Sequence, residues 1–404
     1  MLWEPHDKAD RIVVISDLHL GVSDAFSQDI ANRPLLVDFV EGLIEVGDVR
    51  ELVIAGDFLD EWIVPLSYPE HEDSDAFFVE CIANNREVFD ALGKAIASGI
   101  KVVYVPGNHD MTLSEGVLAK ALPGLVQARD AKGLGRYLTG DRHEIVVEHC
   151  HRYDVYSAPD TVSNRGIADG GDPILPPGYF YAQLGTEWVA EGEPSNVVDY
   201  PAVDRVPDSS DIDQLGAYLH YKIMTGSLLT QYTPGIGFED KVFSACFDGL
   251  GGRYSEYDLC PRLTEDGTIS SPTLYRDFQR TWDARQVANE VKVKNSFLDA
   301  ATGTSLPEYF RGQASMQYLD DPDCGVEVVV FGHTHIPDYR YFGDNRFYVN
   351  SGTWIDINLD AAPDLTRTFA LVTTGDIDLA SLCRYEKTGT VTDISENNSA
   401  ATRR

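Results

Sequence analysis

Leu52-Val53-Ile54-Ala55-Gly56-Asp57-Phe58-Leu59-Asp60 passes within two residues from an unbroken apolar run to a pair of carboxylates. Apolar residues without alternation fit a short strand covered on both faces, and Gly56 marks where the chain turns off it. The same pattern recurs on either side of this stretch. Ile12–Ser16 runs into Asp17-Leu18-His19, and Val102–Pro106 into Gly107-Asn108-His109-Asp110. Glu144–Glu148 runs into His149-Cys150-His151, and Val326–Phe331 into Gly332-His333-Thr334-His335. Helical spacings lie between the first three: Leu35, Leu36, Phe39, Val40, Leu43 and Ile44, then Phe77, Phe78, Cys81, Val88, Phe89, Leu92 and Ile96. Strand, helix, strand in succession predicts a layered α/β domain. In such sheets ligands gather beyond the carboxyl ends of the strands, where all of these polar clusters fall.

With 404 residues, 43% hydrophobic and 24% charged, the chain has the material for a large core and an insert. From His151 to about Cys324 the texture changes to Pro and Gly clusters (Pro176-Pro177-Gly178, Pro234-Gly235), acidic loops and helix candidates over 211–232 and 273–300. We therefore expect a core over 1–151 and 325–390, with a largely helical insert over 152–324 capping the strand ends. The polar tail over 391–404 is expected to be disordered. Strand-like runs at Phe347–Asn350, Thr368–Thr373 and Ile377–Tyr385 complete the core, the last two joined by a turn at Thr374-Gly375-Asp376.

Several function classes recede on composition. No stretch approaches the roughly 18 to 20 continuous apolar residues of a membrane span. A short polar start, Met1–Asp10, before the first strand predicts no signal peptide and a cytoplasmic protein. Six scattered cysteines without a CxxC pair predict reduced thiols. A formal net charge of -33 argues against nucleic acid, anionic membranes and a nuclease activity. So acidic a chain could still hold an anionic small molecule if cations stood between them.

The clusters offer such cations a place. Asp17, His19, Asp57, Asn108, His149, His333 and His335 are oxygen and nitrogen donors without a thiolate, a set suited to Mn, Fe, Zn or Co, with Mn favoured. They exceed one tetrahedral ion and fit two ions about 3.5–4 Å apart, with Asp57 offering one oxygen to each. Alternation puts residues 149 and 151 on one face, so His151 can ligate in place of His149. Asp and Asn also cap strand-to-helix turns, which is the bland reading of each one alone. Four histidines at the same sheet edge outweigh it.

Asp-x-His, Gly-Asp-x-x-Asp, Gly-Asn-His-Asp, a separate His and Gly-His-x-His, in that order over residues 10–151 and 325–385, resemble the calcineurin-like metallophosphoesterase superfamily. The resemblance implies a four-layer α-β-β-α sandwich of two mixed sheets and hydrolysis of a small-molecule phosphoester by a metal-activated water. It assigns Asp17, His19, Asp57 and His335 to one ion, and Asp57, Asn108, His149 and His333 to the other. His109, oriented by Asp110, would protonate the leaving oxygen. Read from its own position directly after the histidine pair, Arg152 is a candidate substrate contact or an ordinary ion-pair partner, and His151 is a second candidate contact. Ser16–Gly21 and Gly56–Trp62 are similar to the branch containing UDP-2,3-diacylglucosamine pyrophosphatases. Cys150 departs from its usual glycine, His109 stands where many of its members have arginine, and the insert is longer. The rival outside enzymes is a metal-binding scaffold for partner proteins, which loss of ligands would mark. No ligand type is lost here.

Overall fold

In the computed structural model, which describes residues 2–69, 71, 73–195, 202–224, 239–244 and 249–396, the apolar run of each motif is a strand. The first sheet contains β1 (Arg11–Ile15), β2 (Val49–Ala55), β3 (Lys101–Val105) and β4 (Val126–Gln127). The second contains β5 (Tyr137–Thr139), β6 (Ile145–Glu148), β7 (Val328–Phe331), β8 (Asp338–Gly343) and β9 (Arg346–Asn350). β10 (Thr368–Thr373), β11 (Leu379–Tyr385) and β12 (Val391–Asp393) return to the first. Strand order is β12-β11-β10-β1-β2-β3-β4 in one sheet and β8-β9-β7-β6-β5 in the other. β1 to β4 run parallel, as do β6, β7 and β9, while β10 to β12, β5 and β8 pair antiparallel.

Alternation along each strand divides its residues between two interfaces. Ile12, Val14, Val53, Ala55, Val103 and Val105 of the first sheet share one buried core with Val147, Val328, Val330 and Val349 of the second. Val13, Ile15, Leu52 and Ile54 are equally buried on the opposite face, where helices α1 (Arg33–Val46) and α3 (Arg86–Ser98) lie. The turn Ser315–Leu319 that follows helix Pro307–Ala314 lies against β7. The result is a four-layer α-β-β-α sandwich. Burial of each such Val, Leu or Ile stabilises by about 1.5–3 kcal/mol, so the double coverage selects β-branched residues and holds the strand ends still. The single helical spacing read over residues 77–96 is two helices, α2 (Ser74–Asn84) and α3, parted at Asn85. The buried Asn85 amide donates to the carbonyls of Gly21 and Cys81, at 2.9 and 2.8 Å, and so ties the break to the loop after β1.

The chain divides into two compact units: Met1–Glu61 with Asp75–His151 and Ser305–Arg404, and Trp62–Ser74 with Arg152–Thr304. The second holds helices Pro177–Ala190, Ile212–His220, Phe278–Ala288 and Phe297–Gly303 with short two-stranded ladders. Pro177, read from sequence as part of a loop cluster, opens the first of these helices at a position where the missing N–H costs nothing. Inside this unit Arg285 is fully buried, 3.3 Å from Asp160 and donating to the carbonyls of Val155 and Ala158. Residues 225–232 of the 211–232 candidate, and Pro234-Gly235, lie outside the described residues. Of the tail expected over 391–404, β12 pairs with β11, and residues 397–404 lie outside the described residues. The described cysteines are free thiols, and among the described residues no helix is long and apolar enough to cross a membrane.

Candidate metal centre

Sharp turns at the ends of β1, β2, β6 and β7 bring the polar clusters together. Asp17, His19, Asp57, His333 and His335 all take positive φ, between 49° and 74°, a conformation that L-residues other than Gly rarely adopt. Each such residue costs on the order of 1–3 kcal/mol, which the surroundings must offset. The turns are laced to one another: Asp17 N donates to Gly56 O at 3.1 Å, and Leu18 N and His19 N both donate to Asp57 O, at 2.9 and 3.0 Å. His333 N donates to the Asp17 carboxylate at 3.0 Å, His109 N to Asp57 Oδ1 at 2.8 Å, and Thr353 Oγ1 to Asp17 O at 2.8 Å. Gly56 and Gly107 permit this closeness. A Cβ on Gly56 would lie 2.4 Å from the His149 ring, and one on Gly107 2.2 Å from the Asp57 amide nitrogen.

Three groups of donor atoms result among the described residues, each within 4.8 Å of one another: Asp17, His19, Asp57 and His335; Asp57, His149 and His333; and His19, Asp60 and His109. Asp57 belongs to the first two. In the first, the Nε2 atoms of His19 and His335 are 3.0 Å apart, with Asp17 Oδ1 3.3 Å from His335 Nε2 and Asp57 Oδ2 3.7 Å from His19 Nε2. In the second, Asn108 Oδ1 stands 3.0 Å from His149 Nε2 and 2.8 Å from His333 Nδ1, and Asp57 Oδ2 is 3.2 Å from His149 Nε2. All seven donors named from sequence are thus within reach of two points on either side of Asp57.

Electrostatics at these points calls for positive charge. Burial works to raise the Asp57 carboxyl, but His149, His109 and His19 outweigh it and hold it well below the usual range, and Asp17 is lowered in the same way by His149 and His335. Burial works against charge on His149, yet Asp57 and Asp17 carry it up to about 9. His335 rises to about 10 against burial, through Asp17 and Asp360. Two imidazole lone pairs 3.0 Å apart repel one another, so a proton or a metal ion must lie between the Nε2 atoms of His19 and His335. With oxygen and nitrogen donors only, the set fits a pair of borderline-hard divalent ions.

The remaining sequence candidates divide. His109 joins the centre: its ring lies edge-on to that of His19 at 4.6 Å between centroids. Its orientation does not come from Asp110. His109 Nδ1 donates to Asp60 Oδ1 at 2.9 Å, and the other Asp60 oxygen accepts from His19 Nδ1 at 2.7 Å. The Asp110 carboxylate is occupied by the backbone N–H groups of Gly107 at 2.7 Å and Phe58 at 2.8 Å, so it braces the two turns. His151 and Arg152 are both buried. His151 Nε2 meets the Gly133 carbonyl at 3.0 Å, and Arg152 Nη1 donates to the Asn289 carbonyl at 2.9 Å. Burial, then the charges of His149 and His333, holds His151 well below the usual imidazole range. Cys150 takes φ 75° between the two histidines, in keeping with the glycine the sequence resemblance places there. Sequence reading missed Asp360, whose Oδ2 accepts from His335 Nδ1 at 2.9 Å. It sits in a loop among other acidic residues and has no motif around it.

Residues 10–206 match the sequence profile of the family described as calcineurin-like phosphoesterase. No curated protein is matched. Among solved structures, the chain is similar to a dimetal phosphatase from Danio rerio, at 11% identity over 93% of this chain and 99% of that one, with a TM-score of 0.34. It is similar to the nuclease MPE of Pseudomonas putida at 20% identity over 32% of this chain and 55% of that one, with a TM-score of 0.20. A phosphopantetheinyl hydrolase from Mycobacterium tuberculosis is similar at 14% identity over 84% and 88% of the two chains, with a TM-score of 0.24. Residues 10–206, which match this family, carry the first four motifs, β7 brings the fifth beside them, and the chain is a metal-dependent phosphoester hydrolase.

Proposed function

We propose that the chain hydrolyses a small-molecule phosphomonoester or phosphodiester at two divalent ions, one held by Asp17, His19, Asp57 and His335 and the other by Asp57, Asn108, His149 and His333. The observation that carries the proposal is the presence of Asp57 in two of the donor groups. When bound, the ions supply an activated water near neutral pH and positive charge for an anionic ester. His149 serves as the second group's histidine because its Nε2 faces Asn108 and Asp57, whereas His151 is turned to a carbonyl.

The chain's own contribution is to place groups and hold a proton. His149 Nδ1 donates to the Ala55 carbonyl at 2.8 Å, which fixes its ring with Nε2 toward Asp57. His109, a proton donor to the leaving oxygen, is anchored through Nδ1 on Asp60, which turns Nε2 outward from that anchor. Burial works against its charge, but Asp60 and Asp57 outweigh burial and raise it, which favours the protonated ring that an acid needs. Asp110 maintains the spacing between the turns that carry Asp57 and Asn108.

The test is to purify the protein with Mn and assay generic mono- and diester substrates beside Asp57→Asn. The variant is expected to lose nearly all turnover and to bind fewer ions per chain. Equal turnover by the two proteins would sink the mechanism. A pyrophosphate-linked sugar or lipid of the UDP-2,3-diacylglucosamine kind is the second reading, supported by the Gly56–Trp62 element, and belongs in the same assay.

A further inference from the structure

The histidines of the two donor groups that share Asp57 are backed differently. His19 Nδ1 donates to Asp60, a carboxylate that is itself 1% exposed. His335 Nδ1 donates to Asp360, whose side chain is 53% exposed. His149 Nδ1 donates to the Ala55 backbone carbonyl. So the group of Asp17, His19, Asp57 and His335 has a carboxylate behind each imidazole, and one of these carboxylates stands in solvent.

Asp360 is held in place by Asn358, which is fully buried. Asn358 Nδ2 donates to the carbonyls of His335 and Leu365, at 2.8 and 2.9 Å. Its Oδ1 accepts from the amides of Asp360 and Ala361, at 3.0 and 3.1 Å. One loop thus grips the backbone of His335 through Asn358 and its ring through Asp360. A carboxylate behind a ligating imidazole fixes the Nδ1–H tautomer, turns the Nε2 lone pair toward the ion and raises the basicity of the ring.

We propose that Asp360 is a positioning residue that sets how firmly the chain holds the ion of Asp17, His19, Asp57 and His335. The inference rests on the two-ion reading above. Asp60 cannot test it cleanly, because that carboxylate also anchors His109, so its removal disturbs both rings at once. Asp360 touches only His335 among the site residues named here, and its exposure lets it be replaced without uncovering a buried charge.

The experiment loads wild type, Asp360→Asn, Asp360→Glu and Asn358→Ala with Mn, dialyses each against graded EDTA and counts metal per chain by mass spectrometry. Wild type should release its ions in two separate steps. In Asp360→Asn one of the two steps should move to roughly ten- to hundredfold lower EDTA while the other stays in place. Asp360→Glu should restore most of the shift, and Asn358→Ala should reproduce it with the carboxylate present but its loop released. Circular dichroism of each stripped protein checks folding. Two steps in wild type, neither moved by Asp360→Asn, overturn the role of Asp360, and so does an equal shift of both. Fewer than two ions in wild type overturns this inference together with the two-ion reading.

Discussion

His109 shows what a single side chain is asked to do. Asp60 fixes its Nδ1, so only Nε2 is available to give a proton to a departing oxygen. Such proton transfer contributes typically 10²–10⁴-fold, and its worth depends on how much the leaving group needs it. His109→Gln should therefore lower kcat by about 10²–10⁴ on an alkyl phosphate ester but far less on a nitrophenyl ester, whose phenolate departs without a proton. The two groups that share Asp57 do not include His109, whose own group is His19 and Asp60, so the metal content of a two-ion centre should not change. Equal losses on both esters would show that His109 acts only by shaping the site. The residue itself was legible in Gly107-Asn108-His109-Asp110, but its partner was not. Asp110 is adjacent in sequence, yet the turn points its carboxylate at the Gly107 and Phe58 amides, while Asp60 returns from the end of another strand. Gly-Asp-x-x-Asp contained that signal. Asp360 gave none, being one acidic side chain among 65.

At the scale of the element, the strands were legible where both faces are buried and illegible at the edges. β1, β2, β3, β6 and β7 announce themselves as apolar runs. β8 (Asp-Tyr-Arg-Tyr-Phe-Gly) is a half-exposed edge strand whose only mark is the turn at Asp344-Asn345, with φ 51° and 59°. The strand-end turns are where backbone and chemistry meet, and glycines test them. Gly107→Ala would place a methyl 2.2 Å from both the Asp57 amide and its Oδ1. Overpacking of this kind costs about 1–3 kcal/mol, and here the displaced group is the shared carboxylate. The variant should lose that stability in urea denaturation of the stripped protein and should also retain less Mn. Gly93→Ala, inside α3 with nothing within 4 Å of the new Cβ, is the counterpart. It should gain about 0.5–1 kcal/mol, the helix penalty of glycine. If Gly107→Ala proved as benign as Gly93→Ala, the turns could not be as tightly interlocked as their hydrogen bonds imply.

For the whole molecule, the long segment between the fourth and fifth motifs was legible as different but not in detail, because its helices carry mixed faces and buried polar ties such as Arg285 with Asp160. Its charge balance was plain, and it bears on the metal centre. A chain of formal charge -33 gathers Asp17, Asp57, Asp60 and Asp360 around one place, and without ions protons serve as the counter-charge. His149, up to about 9, and His335, up to about 10, lie above the ordinary 6.5 of an unfolded chain. The folded, metal-free protein therefore binds more protons than the unfolded one between 6.5 and about 10. The stability these two groups contribute is fully present below 6.5 and is lost as pH rises through about 9 to 10. Metal reverses the sign: ions displace those protons on binding, so uptake releases protons and apparent affinity climbs with pH over the same window. Stripped protein should show a Tm that falls between neutral pH and about 10, whereas Mn-loaded protein should hold its Tm or gain, since binding to the folded state alone stabilises it. The gap between the two curves should widen with pH, and calorimetry of Mn uptake in buffers of differing ionisation enthalpy should count protons leaving near neutral pH and none above about 10. Parallel Tm curves with no proton release would mean that the histidines already stand neutral, and that carboxylates alone do not create the demand for cations at this centre.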